Sequence, residues 1–335
     1  MSAFAWHRAA LEALALNRER LPHALLIHGR AGIGKTEFAR ALAQSVLCEA
    51  PELGMACGGC ASCHWFSQGN HPDYREIFPE AAAEDEEESE EGSARPDKAK
   101  SWVIRIDQIR ALSDFIALST HRAGFRVLFL HPAEALHPAA ANALLKTLEE
   151  PPPGTLIMLV SDQPARLLAT IRSRCRMLLL PTPAREAALE WLKAQAVAEP
   201  EVVLAAAGGA PLLACELAQP QQAELRARIL GELSRPAGAD VLHFAASIDR
   251  EALERMIYWL QTWVHDLVRA RLAGDVRHHP ALAAALKARA RGADLEALFD
   301  LDRELTSARG LASHPLNPRL LAEHLLMAYN RATRG

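Results

Sequence analysis

Residues 24–48 read ALLIHGRAGIGKTEFARALAQSVLC, and this stretch decides the fold of the first half of the chain. Its octapeptide Gly29-Arg30-Ala31-Gly32-Ile33-Gly34-Lys35-Thr36 is a full match to the P-loop pattern. Ala24–His28 is a short apolar run that predicts a strand before the loop, and Thr36–Cys48 has the spacing of a helix after it. In a strand–loop–helix unit the glycines let the backbone curl so that its N–H groups meet phosphate at the helix N-terminus. Gly29, Gly32 and Gly34 supply that freedom, Lys35 is placed to reach the β- and γ-phosphates, and the Thr36 hydroxyl is placed to ligate Mg²⁺. ATP with Mg²⁺ is the cofactor this loop is built to take.

Working outward, short apolar runs alternate with helical patterns up to residue 180. Val103–Ile106 predicts a short strand, Ile109–Leu118 a helix, and Arg126–Leu130 (RVLFL) a buried strand. Pro138 can open a helix because the first turn needs no N–H from it, and Pro151–Pro153 end that helix. Leu156–Val160 and Met177–Leu180 predict two more strands, so the pattern is one of parallel βαβ units. Hydrolysis in such a fold needs an acidic residue after the next core strand. The chain instead reads His131-Pro132-Ala133-Glu134 after RVLFL, and Glu134 lies too far along to substitute without a changed backbone. The expected outcome is nucleotide binding without independent hydrolysis.

A second cluster, Cys48-x8-Cys57-x2-Cys60-x2-Cys63, places four thiols within 16 residues. Four thiolates close a tetrahedral Zn²⁺ site and leave no open position, so the expected zinc is structural. His64 and His71 are surplus to four ligands, and the isolated Cys175 and Cys215 are expected to pack. Because Cys57–Tyr74 contains neither Lys nor Arg, the cluster lacks the surroundings of a DNA-reading finger, which weighs against a zinc-dependent nucleic-acid-binding module. The run Thr170-Ile171-Arg172-Ser173-Arg174-Cys175 offers an exposed Arg that spacing alone assigns to a surface salt bridge, with stabilisation of a neighbour's γ-phosphate as the alternative.

The chain has 335 residues, half of them apolar and 23% charged, so it can bury a sizeable core. At roughly 150 residues per domain this allows two or three domains. The net charge of −4 hides an uneven distribution: residues 80–91 (EAAAEDEEESEE) hold eight of the 41 acidic residues and no basic one. The remaining 33 acidic residues face 37 basic ones. Residues 80–100 are expected to form a solvated, disordered insertion. From Pro183 onward the pattern is helical, with breaks near Gly208–Pro211, Pro236–Gly238 and His278–Pro280. The expected division is a P-loop domain over 1–182, a small helical domain over 183–218 and a helical bundle over 219–335. No stretch approaches the roughly 18 apolar residues of a membrane span. The N-terminus reads as an amphipathic helix, which makes the expected location the cytoplasm.

The runs LPHALLIHG, NALLKTLEEPP and ATIRSRC, with the four-cysteine insert inside the P-loop domain, resemble bacterial clamp-loader subunits of the replicative DNA polymerase holoenzyme. The resemblance spans about residues 5–215; beyond that it is one of helical character only. It implies an α/β P-loop (AAA+) domain with a zinc-binding insert, then a small helical lid and an all-α C-terminal collar. It also implies a hetero-pentameric ring with delta and gamma/tau subunits that loads the sliding clamp on primer-template DNA, with no membrane partner. Arg174 matches the finger that such a ring supplies in trans to the ATP site of an adjacent motor. A motor of this family would carry Asp-Glu where this chain has His131-Pro132, and a sensor Arg where it has Leu212. Both departures point to the non-motor type, against an autonomous gamma/tau-like ATPase.

Overall fold

In a computed structural model, residues 4–80, 102–117, 124–235, 241–311 and 317–334 are described. The acidic insertion expected over 80–100 lies, except for Glu80, outside them. The chain divides into two compact units, Met1–Pro183 and Ala184–Gly335.

The first unit is built on a parallel sheet. Its strands are β1 (Ala24–His28), β2 (Tyr74–Ile77), β3 (Arg126–Leu130), β4 (Thr155–Ser161) and β5 (Arg176–Leu179), in the order β2-β3-β4-β1-β5. Every neighbouring pair is parallel. Strands buried on both faces read as continuous apolar runs, and β3 and β4 are buried at every position. Ala24, Leu26, Leu128, Leu130, Ile157 and Leu159 share one core with Ile109, Leu112, Phe115 and Ile116 of α4 (Ile106–Ala117) and with Leu144 and Leu148 of α5 (Pro138–Glu149). Alternation along the strands turns Leu25, Ile27, Val127, Phe129 and Met158 to the opposite face. There α2 (Lys35–Leu47) covers the sheet with Phe38, Leu42 and Val46, and α1 (Arg8–Leu16) packs on α2.

Two sequence expectations are corrected. Val103–Ile106 is no strand: Ile104 makes one isolated parallel bridge to Leu136, and Ile106 already begins α4. Ile104 exchanges backbone bonds there, donating to Ala135 and accepting from His137. Conversely β2 was not expected, because Tyr74-Arg75-Glu76-Ile77 mixes polar with apolar residues, as suits an edge strand.

In the second unit every described element is helical. It begins with α7 (Arg185–Ala194), α8 (Pro200–Ala206), α9 (Pro211–Leu217) and α10 (Pro220–Leu233). It continues with α11 (Val241–Ala246), α12 (Arg250–Leu272), α13 (Ala283–Ala290), α14 (Leu295–Leu311) and α15 (Pro318–Ala332). Proline occupies the first position of α8, α9, α10 and α15, where its fixed φ suits the helix and its missing N–H is not needed. The expected break at Gly208–Pro211 separates α8 from α9. The break at Pro236–Gly238 lies outside the described residues. At His278–Pro280 the chain turns around Asp266, whose fully buried carboxylate accepts the backbone N–H groups of Arg277, His278 and His279.

The long α12 is the centre of this bundle, with Trp259 and Trp263 fully buried. The Trp263 indole N–H donates to the Tyr329 hydroxyl at 2.9 Å, and that hydroxyl donates to the Leu233 carbonyl at 2.8 Å. One phenol thus satisfies a donor on α12 and an acceptor on α10 from its place on α15. Tyr329→Phe would strand both, at a cost of about 1–3 kcal/mol. The expected result is an earlier urea midpoint by tryptophan fluorescence with the fold retained by circular dichroism.

Candidate functional site

The P-loop runs between β1 and α2 at the C-terminal edge of the sheet, where ligands of open α/β sheets sit. Gly34 caps α2 with φ +93°, a conformation that a side chain disfavours. At Gly29 the constraint is space: an added Cβ would lie 2.5 Å from the Leu180 carbonyl oxygen. Gly32 also has positive φ, and Thr36 is the second residue of α2. The five expected residues therefore lie together on one strand–loop–helix unit. On its N-terminal side, the Trp6 indole N–H donates to the Ile33 carbonyl at 3.0 Å and the His7 ring meets the same oxygen at 2.9 Å. Burial first, and the Lys35 charge as well, hold the pKa of His7 below its ordinary value.

The Lys35 ammonium is almost completely buried. It donates to the Arg30 carbonyl at 2.6 Å and forms an ion pair with Asp162. Asp162 follows directly on β4, and its backbone N–H donates to Glu134 Oε1 at 3.0 Å. Sequence reasoning passed over Asp162. The available signal was an acidic residue at the C-terminal end of a buried strand, where functional groups of such sheets gather.

At the end of β3, the position expected to hold a catalytic acid is taken by His131, which is tied sideways into the protein. Its ring nitrogen meets Glu76 Oε1 at 2.7 Å. Glu76, on β2, also receives two N–H groups of Arg40 from α2, at 3.0 and 2.7 Å, and the Tyr74 hydroxyl at 2.8 Å. Burial would raise the Glu76 pKa, but the bonds from His131, Arg40 and Tyr74 outweigh it and hold it at about 2. Burial and Glu76 push Tyr74 up, so its hydroxyl stays protonated and donating.

The cysteine cluster forms where α2 ends. Cys48 follows Leu47, and Cys60 caps α3 (Ala61–Ser67), which contains Cys63. The four sulfurs lie within 4.8 Å of one another, with Cys48 3.5 Å from Cys57 and 3.9 Å from Cys60. Tetrahedral bonds of about 2.3 Å to one ion put sulfurs about 3.8 Å apart, so the donor set can hold a metal ion. Burial raises the Cys48 and Cys63 thiols. At Cys60 burial is outweighed by hydrogen bonds from the Cys63 and Glu49 backbone and the neighbouring thiols, which bring it down to about 6. Neither histidine belongs to the set. His71 uses both ring nitrogens within the protein, on the Ser62 hydroxyl and the Asp73 N–H, and His64 is not among the clustered residues. Cys175 is buried in the sheet core and Cys215 is half-buried on α9.

Arg174 lies between α6 (Ala169–Arg172) and β5. Ile171 and Cys175 anchor this segment in the core, while the Arg174 side chain stays one-third exposed. Its guanidinium donates to the Thr170 carbonyl at 3.0 Å and pairs with Glu149 Oε1 at 2.5 Å. Glu149 ends α5, where exposed carbonyls already concentrate negative potential, so the guanidinium neutralises a locally acidic helix end. Leu212 is the second residue of α9.

These features define a P-loop protein with a parallel α/β sheet, a four-cysteine insert and no acidic pair directly after β3. Residues 8–184 match the family described as DNA polymerase III, delta subunit. The chain is 36% identical over 278 residues to DNA polymerase III subunit delta' of Pseudomonas aeruginosa, spanning 81% of this chain and 79% of that protein. Against subunit delta' of Escherichia coli K12 the identity is 32% over 288 residues, spanning 84% and 78%. DNA polymerase III subunit tau of Salmonella typhimurium is 34% identical over 167 residues, 49% of this chain but 23% of that protein. The chain belongs to the delta-prime family of DNA polymerase III clamp-loader subunits.

The depressed Glu76 has a thermodynamic consequence. Its carboxyl falls from about 4.5 to about 2 on folding, so it stabilises the fold above pH 4.5 and loses that contribution as the pH falls towards 2. Glu76→Gln lacks this term. The gap in unfolding free energy between wild type and Glu76→Gln is expected to shrink by about 3 kcal/mol between pH 6 and pH 2, measured by urea titration at each pH.

Proposed function

We propose that this chain is the non-motor member of a clamp-loader ring, lending Arg174 to the ATP site of an adjacent motor subunit while its own P-loop holds nucleotide without turning it over. The ring would contain delta and gamma/tau subunits and act on the sliding clamp and primer-template DNA. The observation that bears most weight is the setting of Arg174, held at the protein surface by Glu149 and Thr170 between two buried anchors. An arginine aimed at a transferring phosphoryl group must be oriented before the neighbour docks, because the fork of its N–H groups works only in a fixed plane.

Two further observations support the division of labour. The His131–Glu76–Arg40 network occupies the end of β3, so the carboxylate there, Glu76, is committed to His131, Arg40 and Tyr74 rather than to Mg²⁺ or water. The P-loop motif itself is intact, with Lys35, Thr36 and the loop N–H groups in the places that phosphates and Mg²⁺ of ATP require. Bound ATP would offer its γ-phosphoryl group. What this chain contributes is binding, positioning and one charge in trans.

The metal we assign to Cys48, Cys57, Cys60 and Cys63 is Zn²⁺ in a structural role. Four sulfur donors favour a borderline-soft ion and fill a tetrahedral shell, so no position remains for catalysis. We also divide the chain into the P-loop domain (1–182), a lid formed by α7–α9 (183–218) and a collar from α10 onward (219–335).

Two experiments test this reading. In a ring reconstituted with motor subunits, delta, clamp and primed DNA, Arg174→Ala is expected to lower ATP turnover 10-fold or more while assembly by gel filtration is unchanged. Unchanged turnover would leave the chain a purely structural subunit, and failure of the wild type to enter the ring would refute its place there. Elemental analysis is expected to find one zinc per chain, falling to none in Cys57→Ser/Cys60→Ser.

A further inference from the structure

A P-loop lysine is useful to phosphate only while its ammonium is available. In this protein the ammonium is already engaged: Lys35 is buried, donates to the Arg30 carbonyl and is paired with the carboxylate of Asp162. The partner comes from another strand. His28, the last residue of β1, stands opposite Ser161, the last residue of β4, so Asp162 emerges level with the first residue of the loop. Its backbone cannot swing aside freely, because its N–H is held by Glu134 and the next N–H, of Gln163, by the Ser161 hydroxyl at 3.1 Å. The side chain is different: it is 41% exposed and can turn into water.

We propose that Asp162 is an internal anion that stands in for nucleotide phosphate and gates the P-loop, so that a nucleoside triphosphate binds only by displacing its carboxylate from Lys35. Being part of the same chain, the carboxylate competes at a high effective concentration. A phosphate arriving while Asp162 stays in place meets a like charge at the ammonium it needs. The arrangement also accounts for the burial of Lys35, since a desolvated cation persists only when paired. It separates the presence of the P-loop motif from its occupancy, which is set by a residue 127 positions away.

This inference rests on the reading of the P-loop as a nucleotide site, and the experiment tells the two apart. Mg-ATP is titrated calorimetrically into the full-length wild type, Asp162→Asn, Asp162→Ser and the double variant Lys35→Ala/Asp162→Asn, with folding checked by circular dichroism. The expected result is binding at least 10-fold tighter in Asp162→Asn and Asp162→Ser than in wild type, lost in the double variant. Wild-type binding that Asn and Ser improve by less than twofold would overturn the gate and leave the nucleotide site standing. Absence of binding in all four proteins would overturn both.

Discussion

The pairing of β1 with β4 on one side and β5 on the other is the constraint on which the first unit depends. The register sets His28 beside both Ser161 and Leu179, so three strands end at one level. Everything chemically distinctive in this unit's P-loop region follows from that shared edge. The P-loop starts after His28, Asp162 follows β4, and Leu180 follows β5 with its carbonyl pressed against Gly29. A one-residue slip of a strand between two covered faces would exchange its inward and outward side chains, so apolar packing fixes the register and the register places the polar groups. The placing of these polar groups is a consequence of hydrophobic alignment. It also explains why Gly29 is required: its φ of +154° disfavours a side chain, and the Leu180 carbonyl after β5 leaves no room for a methyl group.

The neighbouring edge, at the end of β3, shows the same scaffold used for cohesion. A carboxylate there would have faced solvent and metal. His131 instead joins Glu76 to a network that includes Arg40 on α2 and Tyr74 on β2. Glu76 accepts from all three, and so many donors around one half-buried carboxylate keep it ionised well below its ordinary range. The network clamps the edge strand β2 to the helix that follows the P-loop. That clamp suits a rigid element, since β2 has little apolar surface of its own to hold it.

How far this was legible in the sequence depends on the range of the interactions. The P-loop, the four cysteines and the buried strands were readable because each is a local pattern with a local cause. Continuous apolar runs mark strands covered on both faces, and ligand spacing within 16 residues marks one metal shell. β2 escaped because an edge strand buries only part of its surface and therefore has no apolar run. The strand expected at Val103–Ile106 fails for the opposite reason: its apolar residues are real, but Ile106 already serves the α4 face and the strand pairing is one isolated bridge at Ile104. Asp162 and Glu76 were invisible as site residues. Their roles exist only through strand order, which brings residues 35 and 162, or 76 and 131, into contact across the crossovers.

Arg174 illustrates how two distant motifs become one physical object. LEEPP ends a helix with two carboxylates at its negative pole, a placement that is unfavourable by itself. IRSRC places a cation between Ile171 and Cys175, both committed to the core. Each makes sense when the other is present: Glu149 gains a counter-charge, and Arg174 gains an orientation that a flexible surface arginine would lack. Spacing alone had set a surface salt bridge against a group serving a neighbour as competing readings. The two readings are compatible, because a guanidinium that meets one carboxylate, one carbonyl and the Ser173 hydroxyl still has N–H donors left. In the role proposed for it, the salt bridge would be the means by which the arginine is made ready, and its partial exposure would leave it accessible.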